Sequence, residues 1–411
     1  MSEPQDRSVP RSRVRAGDET IDRRGRVRGA PAILSYSFRP FFLAGAAYAA
    51  LTVPLWLWMF ASGAAPKGPF AGPAWHAHEM IFGYLAAIVA GYVLTTVPNW
   101  TGHLPLSGGR LAALVALWFA GRIAVATVSA PLPALAVDVA FLAVLAAAVW
   151  REVVAGRNWG NAPVATLLTV FAGANLLHHL GGFWPAAGDF GIRLSLGAAG
   201  LMIALIGGRI VPSFTRNWLV RTRRSPLPAS FGRLDRAALA LTAAAAVAWV
   251  AVPGHAVTGV LLLVAGVLLA VRLARWRGMR TWREPIVFML HLGYLWLAAG
   301  FLLLGGSVLA PALVPESAAL HALTAGAIAT MTLAVMVRAT RAHTGNPIET
   351  DAVTLAVYAF VSIGALLRVA AAFFPAAYMP LLTAGGASWS LAFALFAVGY
   401  GPMLMRPRRG R

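Results

Sequence analysis

Long apolar runs, separated by short polar or Gly/Pro-rich breaks, dominate the chain. Each run is close to the length that an α-helix needs to cross the hydrocarbon core of a bilayer. A transmembrane barrel would show short alternating segments instead. The pattern therefore predicts an all-α, polytopic membrane protein with about 12 spanning helices. The predicted spans are residues 41–61, 80–98, 110–128, 132–150, 162–182, 190–212, 236–253, 256–274, 286–308, 317–337, 352–374 and 379–405.

The basic residues indicate how these helices are oriented. With the N-terminus inside, the inner loops carry the arginine-rich stretches 209–236 and 272–283, and the outer loops carry only Lys67. This asymmetry follows the positive-inside rule and predicts that both termini are cytoplasmic. Residues 1–33 are predicted to be a basic, disordered tail, 34–405 a transmembrane domain, and 406–411 a second basic tail.

The composition narrows the chemistry. The chain is 59% hydrophobic and only 12% charged, and its net charge of +20 is explained by topology, so no nucleic-acid partner is expected. It contains no cysteine. Any metal or haem iron must therefore be held by His, Met, Tyr or carboxylate ligands.

Six of the nine histidines are predicted to lie near the outer face. Imidazole is the usual protein ligand for haem iron and copper, and ionisable groups within membrane segments are functional by default. The alternative is that these histidines are polar helix ends in contact with lipid headgroups. The candidate metal ligands are His76, His78, His178, His179 and His321; the sixth outer histidine is His255.

The spacing in "WHAHEM", residues 75–80, predicts that His76 and Glu79 share one helix face and that His78 points elsewhere. One of the two histidines would then be an axial haem or copper ligand, and the other a second ligand or a supporting group. Asn175, one turn before the adjacent pair His178 and His179, is predicted to hydrogen-bond an imidazole.

Seven further polar positions have other interpretations. Arg122 and Asp138 are predicted to neutralise each other inside the bundle. Arg193 and Arg368, near outer helix ends, are candidates for binding haem propionates, with lipid phosphates as the alternative. On the inner side, His103, His291 and His343 are interpreted as interfacial or structural.

A weak internal repeat is also present. The interval from His78 to Gly83 is five residues, as is that from His321 to Gly326. Because predicted helices 2, 6 and 10 share such spacings, the chain is interpreted as three pseudo-repeated four-helix units.

Several long stretches resemble the NnrS family. They are "FRPFFL" at 38–43, "WHAHEMIFGYLAAIVAGYVLTTVPNWTG" at 75–102, "LWFAGRIA" at 117–124 and "HALTAGAIATMTLAVMVRATRAHTG" at 321–345. The resemblance implies a multi-pass protein of the bacterial inner membrane that contains haem b and copper. It further implies a role in denitrification and in resistance to nitric oxide, but it does not define a reaction.

The helix count also resembles the haem–copper oxidase plan, in which histidines on helices 2 and 10 hold a haem near the outer face. By this analogy, His321 pairs with His78 or His76 as the axial ligands. The sequence departs from that plan because helix 6 has no histidine and helix 7 has no His–His pair. The half of the plan that reduces oxygen or nitric oxide is therefore unsupported.

The leading hypothesis is a haem-binding, copper-binding membrane protein that acts in nitric oxide metabolism or relieves nitrosative stress. Nitric oxide is the expected ligand, the electron donor is not identified, and a haem-dependent oxidoreductase acting on nitric oxide is one alternative. The rivals are a twelve-helix transporter and an assembly factor, for copper, haem or a small anion. A carrier predicts polar groups near the bilayer midplane, whereas this sequence places them at the outer edge.

Overall fold

The computed structural model describes residues 31–97 and 105–409. In this part of the chain there is no β-strand, and 12 helices are long and apolar enough to cross a membrane. In chain order they are α1 (Phe38–Ser62), α2 (Gly72–Thr96), α3 (Gly108–Thr127), α4 (Pro131–Ala155), α5 (Trp159–Leu180), α6 (Pro185–Arg221), α7 (Arg233–Ala251), α8 (Ala256–Ala274), α9 (Pro285–Leu309), α10 (Glu316–Thr344), α11 (Ala352–Phe373) and α12 (Pro375–Met405). The predicted all-α, multi-pass class is confirmed.

Two helix boundaries differ enough to matter for function. Helix α2 begins at Gly72 and not at residue 80, because Pro73 occupies its first turn, where a missing N–H costs nothing. The "WHAHEM" stretch therefore lies inside the helix and not at its mouth. Helix α6 continues to Arg221, beyond the predicted end at residue 212, and carries several arginines past the apolar core. "Inner" and "outer" below refer to the predicted topology.

The helices form a closed arrangement around a buried centre. Helices consecutive in the chain pack against each other from α3 to α12, and α12 packs in turn against α1. The guanidinium of Arg39 helps to close this arrangement, because Nη1 donates to the carbonyls of Leu404 and Arg406 at 2.7 Å each. Helices α2 and α10 are the most buried, with 78% and 67% of their apolar windows inside the protein, so side chains on them are shielded from lipid.

Three helices in the described part of the chain contain a π-helical segment. The segments are Glu79–Leu85 in α2, Ile203–Gly207 in α6 and Ala322–Ile328 in α10. The segment in α2 begins one residue after His78, and the segment in α10 begins one residue after His321. Such segments are rare and are frequent at functional sites. The three-unit repeat itself stays a prediction.

Candidate functional site

A cluster of buried polar side chains lies where the outer parts of α1 to α5 meet. Carboxylates, a guanidinium and imidazoles are costly to remove from water unless they pair with one another. Each of these side chains is hydrogen-bonded within the cluster. The buried members are His78, Glu79, Arg122, Asp138, Asn175 and His179, and the half-buried Tyr48 joins them.

Asp138 on α4 is the centre of this cluster. Its Oδ2 lies 3.1 Å from Nε2 of His78 and 3.0 Å from Nε2 of His179, and it accepts a 2.8 Å hydrogen bond from Nδ2 of Asn175. Its Oδ1 accepts from Nη2 of Arg122. One carboxylate therefore joins α2, α3 and α5.

Glu79 forms the second half of the cluster. Its Oε1 lies 2.9 Å from Nδ1 of His78, and its Oε2 accepts from Nη1 of Arg122 at 2.7 Å and from the hydroxyl of Tyr48. A side chain at Gly83 would place its Cβ 2.8 Å from Glu79 Oε2 and 2.9 Å from Arg122 Nη1. The absence of a side chain at Gly83 therefore makes room for the Glu79–Arg122 ion pair.

The charges of this cluster do not cancel. Two carboxylates, Glu79 and Asp138, share one guanidinium, Arg122. With neutral imidazoles, one negative charge remains uncompensated in a region that excludes water, which is energetically unfavourable. A bound cation or a protonated imidazole would restore neutrality.

The donor atoms suit a metal ion. His78, Asp138 and His179 each offer one ligand atom, and these atoms lie within 4.8 Å of one another. Two imidazole nitrogens and one carboxylate oxygen are ligands for copper, zinc or non-haem iron. Glu79 bonds to the other ring nitrogen of His78, which is how a supporting carboxylate orients a metal-binding imidazole. The residues therefore fit a metal.

His178 lies beside this donor set. Phe70, from the segment before α2, stacks on both His78 and His178 with ring centroids 4.6 Å away in each case. The Nε2 atom of His178 is buried and has no hydrogen-bond partner among the described residues. This nitrogen is therefore a candidate for an additional ligand atom.

A separate cavity of about 280 Å³ lies between α2, α10, α11 and α12. His76 and His321 both line it, together with Arg368, and Trp56 stacks on the ring of His76 at 5.0 Å. Ligand pockets usually measure roughly 300–1,000 Å³, so a haem fits only if flexible side chains such as Met80 move outward.

The surroundings of the two imidazoles leave a ring nitrogen of each without a hydrogen-bond partner among the described residues. Nδ1 of His321 lies 2.7 Å from the carbonyl oxygen of Ser317, so Nδ1 carries the proton and Nε2 carries the lone pair. Nδ1 of His76 is buried with no partner among the described side chains. Arg368 is within electrostatic range of both rings and has an unpartnered Nη1. These residues fit a haem with anionic propionates.

A second, smaller cavity of about 80 Å³ lies deeper between α2, α6 and α10. Ile328 lines both this cavity and the one between His76 and His321. The lining is apolar except for Tyr92 and Thr332.

The structure divides the predicted ligands into two groups. His76 and His321 lie in one group, and His78, His178 and His179 lie in the other. The predicted divergence of His76 and His78 is confirmed. The expectation that Glu79 shares a face with His76 is wrong, because Arg122 and Tyr48 draw its carboxylate towards His78.

Two other expectations concern polar side chains beside these groups. Asn175 was expected to hydrogen-bond an imidazole; it interacts with His78, and its amide also donates to Asp138, which holds the imidazoles. Arg193 does not line the cavity between His76 and His321, whereas Arg368 does. The predicted ion pair of Arg122 and Asp138 is confirmed, although it is only one part of a larger network.

The remaining histidines lie apart from both groups. His255 is exposed and caps α8 by accepting from Val257 N at 3.2 Å. His291 is buried beside Thr215, and the ring of His343 packs at a tilt against Phe38. His103 lies outside the described residues. None of these three described histidines belongs to the cluster or lines the cavity between His76 and His321.

Comparison with known proteins gives the family of this chain. The family model described as "NnrS protein" matches residues 32–408, which is nearly the whole chain. The chain belongs to the NnrS family. None of the curated proteins compared with the chain matches it. The family assignment covers every helix of both sites in this NnrS family member.

Sequence reasoning did not assign Asp138, Arg122, Tyr48 or Phe70 to a site. A carboxylate and an arginine within apolar runs were the available signal, since such residues rarely occur there without a function. Tyr48 and Phe70 carried no comparable signal, because aromatic residues are common in membrane helices and their flanks.

Proposed function

We propose that this protein is a haem- and copper-binding protein of the bacterial inner membrane that acts in nitric oxide metabolism or relieves nitrosative stress. The observation that carries the proposal is the cavity that His76, His321 and Arg368 line together. Membership of the NnrS family supports it.

His76 and His321 would hold the haem iron, and Arg368 would hold a propionate. Imidazole is a common axial ligand, and guanidinium groups bind carboxylates in a bidentate manner. When bound, the haem would supply an iron that can change redox state, and nitric oxide would bind it only in place of one of the two imidazoles. The chain orients His321 through Ser317 and places Trp56 and Trp389 in the cavity wall.

His78, His179 and Asp138 would hold copper, with His178 as a further ligand. Glu79 would fix the ring of His78, and Arg122 would hold the two carboxylates in register. Because His76 and His78 are two residues apart on one helix, the two centres would be close neighbours on opposite faces of α2.

The transporter alternative receives less support. A carrier for copper, haem or a small anion needs polar groups near the bilayer midplane. The deep cavity between α2, α6 and α10 is almost entirely apolar. An assembly factor would use the same outer histidines, and it differs only in releasing its metal.

The test is an optical spectrum of the detergent-purified protein, oxidised and dithionite-reduced, with and without nitric oxide, together with iron and copper analysis. We expect b-type haem bands that nitric oxide perturbs, and about one copper per chain if the three-ligand set forms one site. His76→Ala or His321→Ala should remove or shift the haem bands and leave copper bound. His78→Ala or His179→Ala should remove copper and leave the haem bands.

His255→Ala is the matched control, because His255 is also an outer histidine but lies in neither site. It should keep both metals. Protein that retains no haem and no copper after expression with both supplied would contradict the proposal. Retention of haem by a His76→Ala, His321→Ala double variant would contradict the assignment of the axial ligands.

A further inference from the structure

A basic pocket lies at the inner ends of α6 and α8, far from both outer sites. Its volume is about 570 Å³. Arg209, Arg216 and Arg272 line it together with Ser213 and Ser230, and no carboxylate is among its described lining residues. We propose that this pocket binds the phosphate of an anionic phospholipid headgroup.

The pocket is built by a stripe of α6 and by the segment that follows this helix. Arg209, Ser213 and Arg216 recur at three- and four-residue intervals, so they share one face of α6. The chain then folds back over this face, where Nη2 of Arg216 donates to the carbonyl of Pro228 at 3.2 Å. The N–H of Ala229 donates to the carbonyl of Arg275 at 3.2 Å and fastens the segment to the end of α8.

Arg272 forms the buried wall of the pocket. Its side chain is 1% exposed, and its Nε donates to Asp235 at 2.8 Å while Nη1 donates to the carbonyl of Ala204. None of its hydrogen bonds to described residues uses Nη2. A Cβ at Gly208 would lie 2.4 Å from that Nη2 atom, so only glycine permits this approach.

The other two arginines supply uncompensated positive charge. Arg209 contacts the side-chain oxygen of Asn161 at 3.2 Å, and Arg216 contacts the Pro228 carbonyl. Neither forms an ion pair with any carboxylate in the described ranges. Guanidinium groups favour phosphate oxygens because their N–H donors match two oxygens at once.

The surroundings favour a lipid over a free anion. Leu205, Leu239 and Phe231 line the same pocket, and Phe231 is 61% exposed, which offers an apolar wall to an acyl chain. Basic pockets between helices on the cytoplasmic side are typical binding sites for anionic headgroups. A pocket of this volume would remain mostly unfilled by inorganic phosphate alone.

The test measures thermal protection of the full-length, delipidated protein by tryptophan fluorescence. The additions are phosphatidylglycerol, cardiolipin, phosphatidylcholine or inorganic phosphate, each titrated separately. We expect protection by the two anionic lipids at concentrations at least tenfold below those of phosphatidylcholine. The Arg209→Gln, Arg216→Gln variant should lose this preference, and the Arg209→Lys, Arg216→Lys variant should keep part of it.

The matched control is the Arg233→Gln, Arg236→Gln variant, which removes two charges from the same membrane face outside the pocket lining. It should keep the preference for anionic lipid. Equal protection by phosphatidylcholine, or equal loss in the control variant, would overturn the proposal. Full protection by inorganic phosphate would reassign the pocket to a soluble anion. Unchanged elution volume and helical circular dichroism would show that each variant is folded.

Discussion

The uncompensated charge of the outer cluster makes a quantitative prediction for Arg122. Replacing Arg122 with Gln removes the only cation that Glu79 and Asp138 share. Breaking a buried ion pair by removing one partner costs about 3–5 kcal/mol. The upper part of this range applies, because the variant leaves two buried carboxylates unpaired.

A second substitution distinguishes the effect of the lost charge from the effect of the changed side-chain shape. In the Glu79→Gln, Arg122→Gln double variant, one carboxylate and the guanidinium are both lost, so the cluster returns to its original net charge. We expect the double variant to recover on the order of 2–3 kcal/mol relative to Arg122→Gln, at the upper end for residues in contact.

The assay is unfolding in mixed detergent micelles, followed by tryptophan fluorescence, for the metal-free wild type, both single variants and the double variant. The same four proteins are then titrated with copper. Metal should stabilise Arg122→Gln more than wild type, because a cation replaces the missing guanidinium. A double variant no more stable than Arg122→Gln would refute the charge argument, and metal-free Arg122→Gln as stable as wild type would refute the network itself.

Three further predictions address other parts of the molecule. Gly83→Ala should destabilise the protein by about 1–3 kcal/mol through overpacking, measured in the same micelles, and should weaken metal binding by displacing Arg122. Arg368→Gln should lower the haem midpoint potential by on the order of 50 mV in a redox titration, because the positive charge favours the reduced state. Burial alone raises the pKa of Asp351, but hydrogen bonds from Thr354 and the charge of Arg341 outweigh it and lower the pKa. The resulting stabilisation is present above the unfolded pKa of about 4 and is lost as the pH falls through the folded value. Asp351→Asn should remove this acid dependence of the free energy of unfolding, measured in the same micelles as a function of pH. The contribution that is lost should be less than about 1 kcal/mol, because the carboxylate is half exposed.

The helices could be predicted from sequence because each must satisfy its backbone within the membrane and must be about as long as the bilayer is thick. The shared depth of His76 and His321 followed from the same constraint, since span and orientation together fix how deep a residue lies. These features depend on local composition, which one sequence contains in full.

The grouping of the histidines could not be predicted in the same way. Depth places His78 as close to His321 as to His179, and only lateral helix packing decides between them. The structure brings α4 and α5 against one face of α2 and α10 against another. Asp138 was assigned a single partner for the same reason, because its contacts with α2 and α5 depend on neighbours that spacing along the chain does not reveal.

The π-helical segments after His78 and His321 have a consequence for how relatives of this chain can be compared. In a π segment the backbone hydrogen bonds span five residues and not the four of an α-helix, so the segment accommodates one extra residue. Deleting that residue would restore regular α-helical geometry. That loss would rotate the preceding turn by about 100° relative to the rest of the helix. In α10 it would turn His321 away from the cavity without altering any side chain. Single-residue gaps at Glu79–Leu85 or Ala322–Ile328 should therefore separate relatives that keep the two proposed ligand sets from those that have lost them.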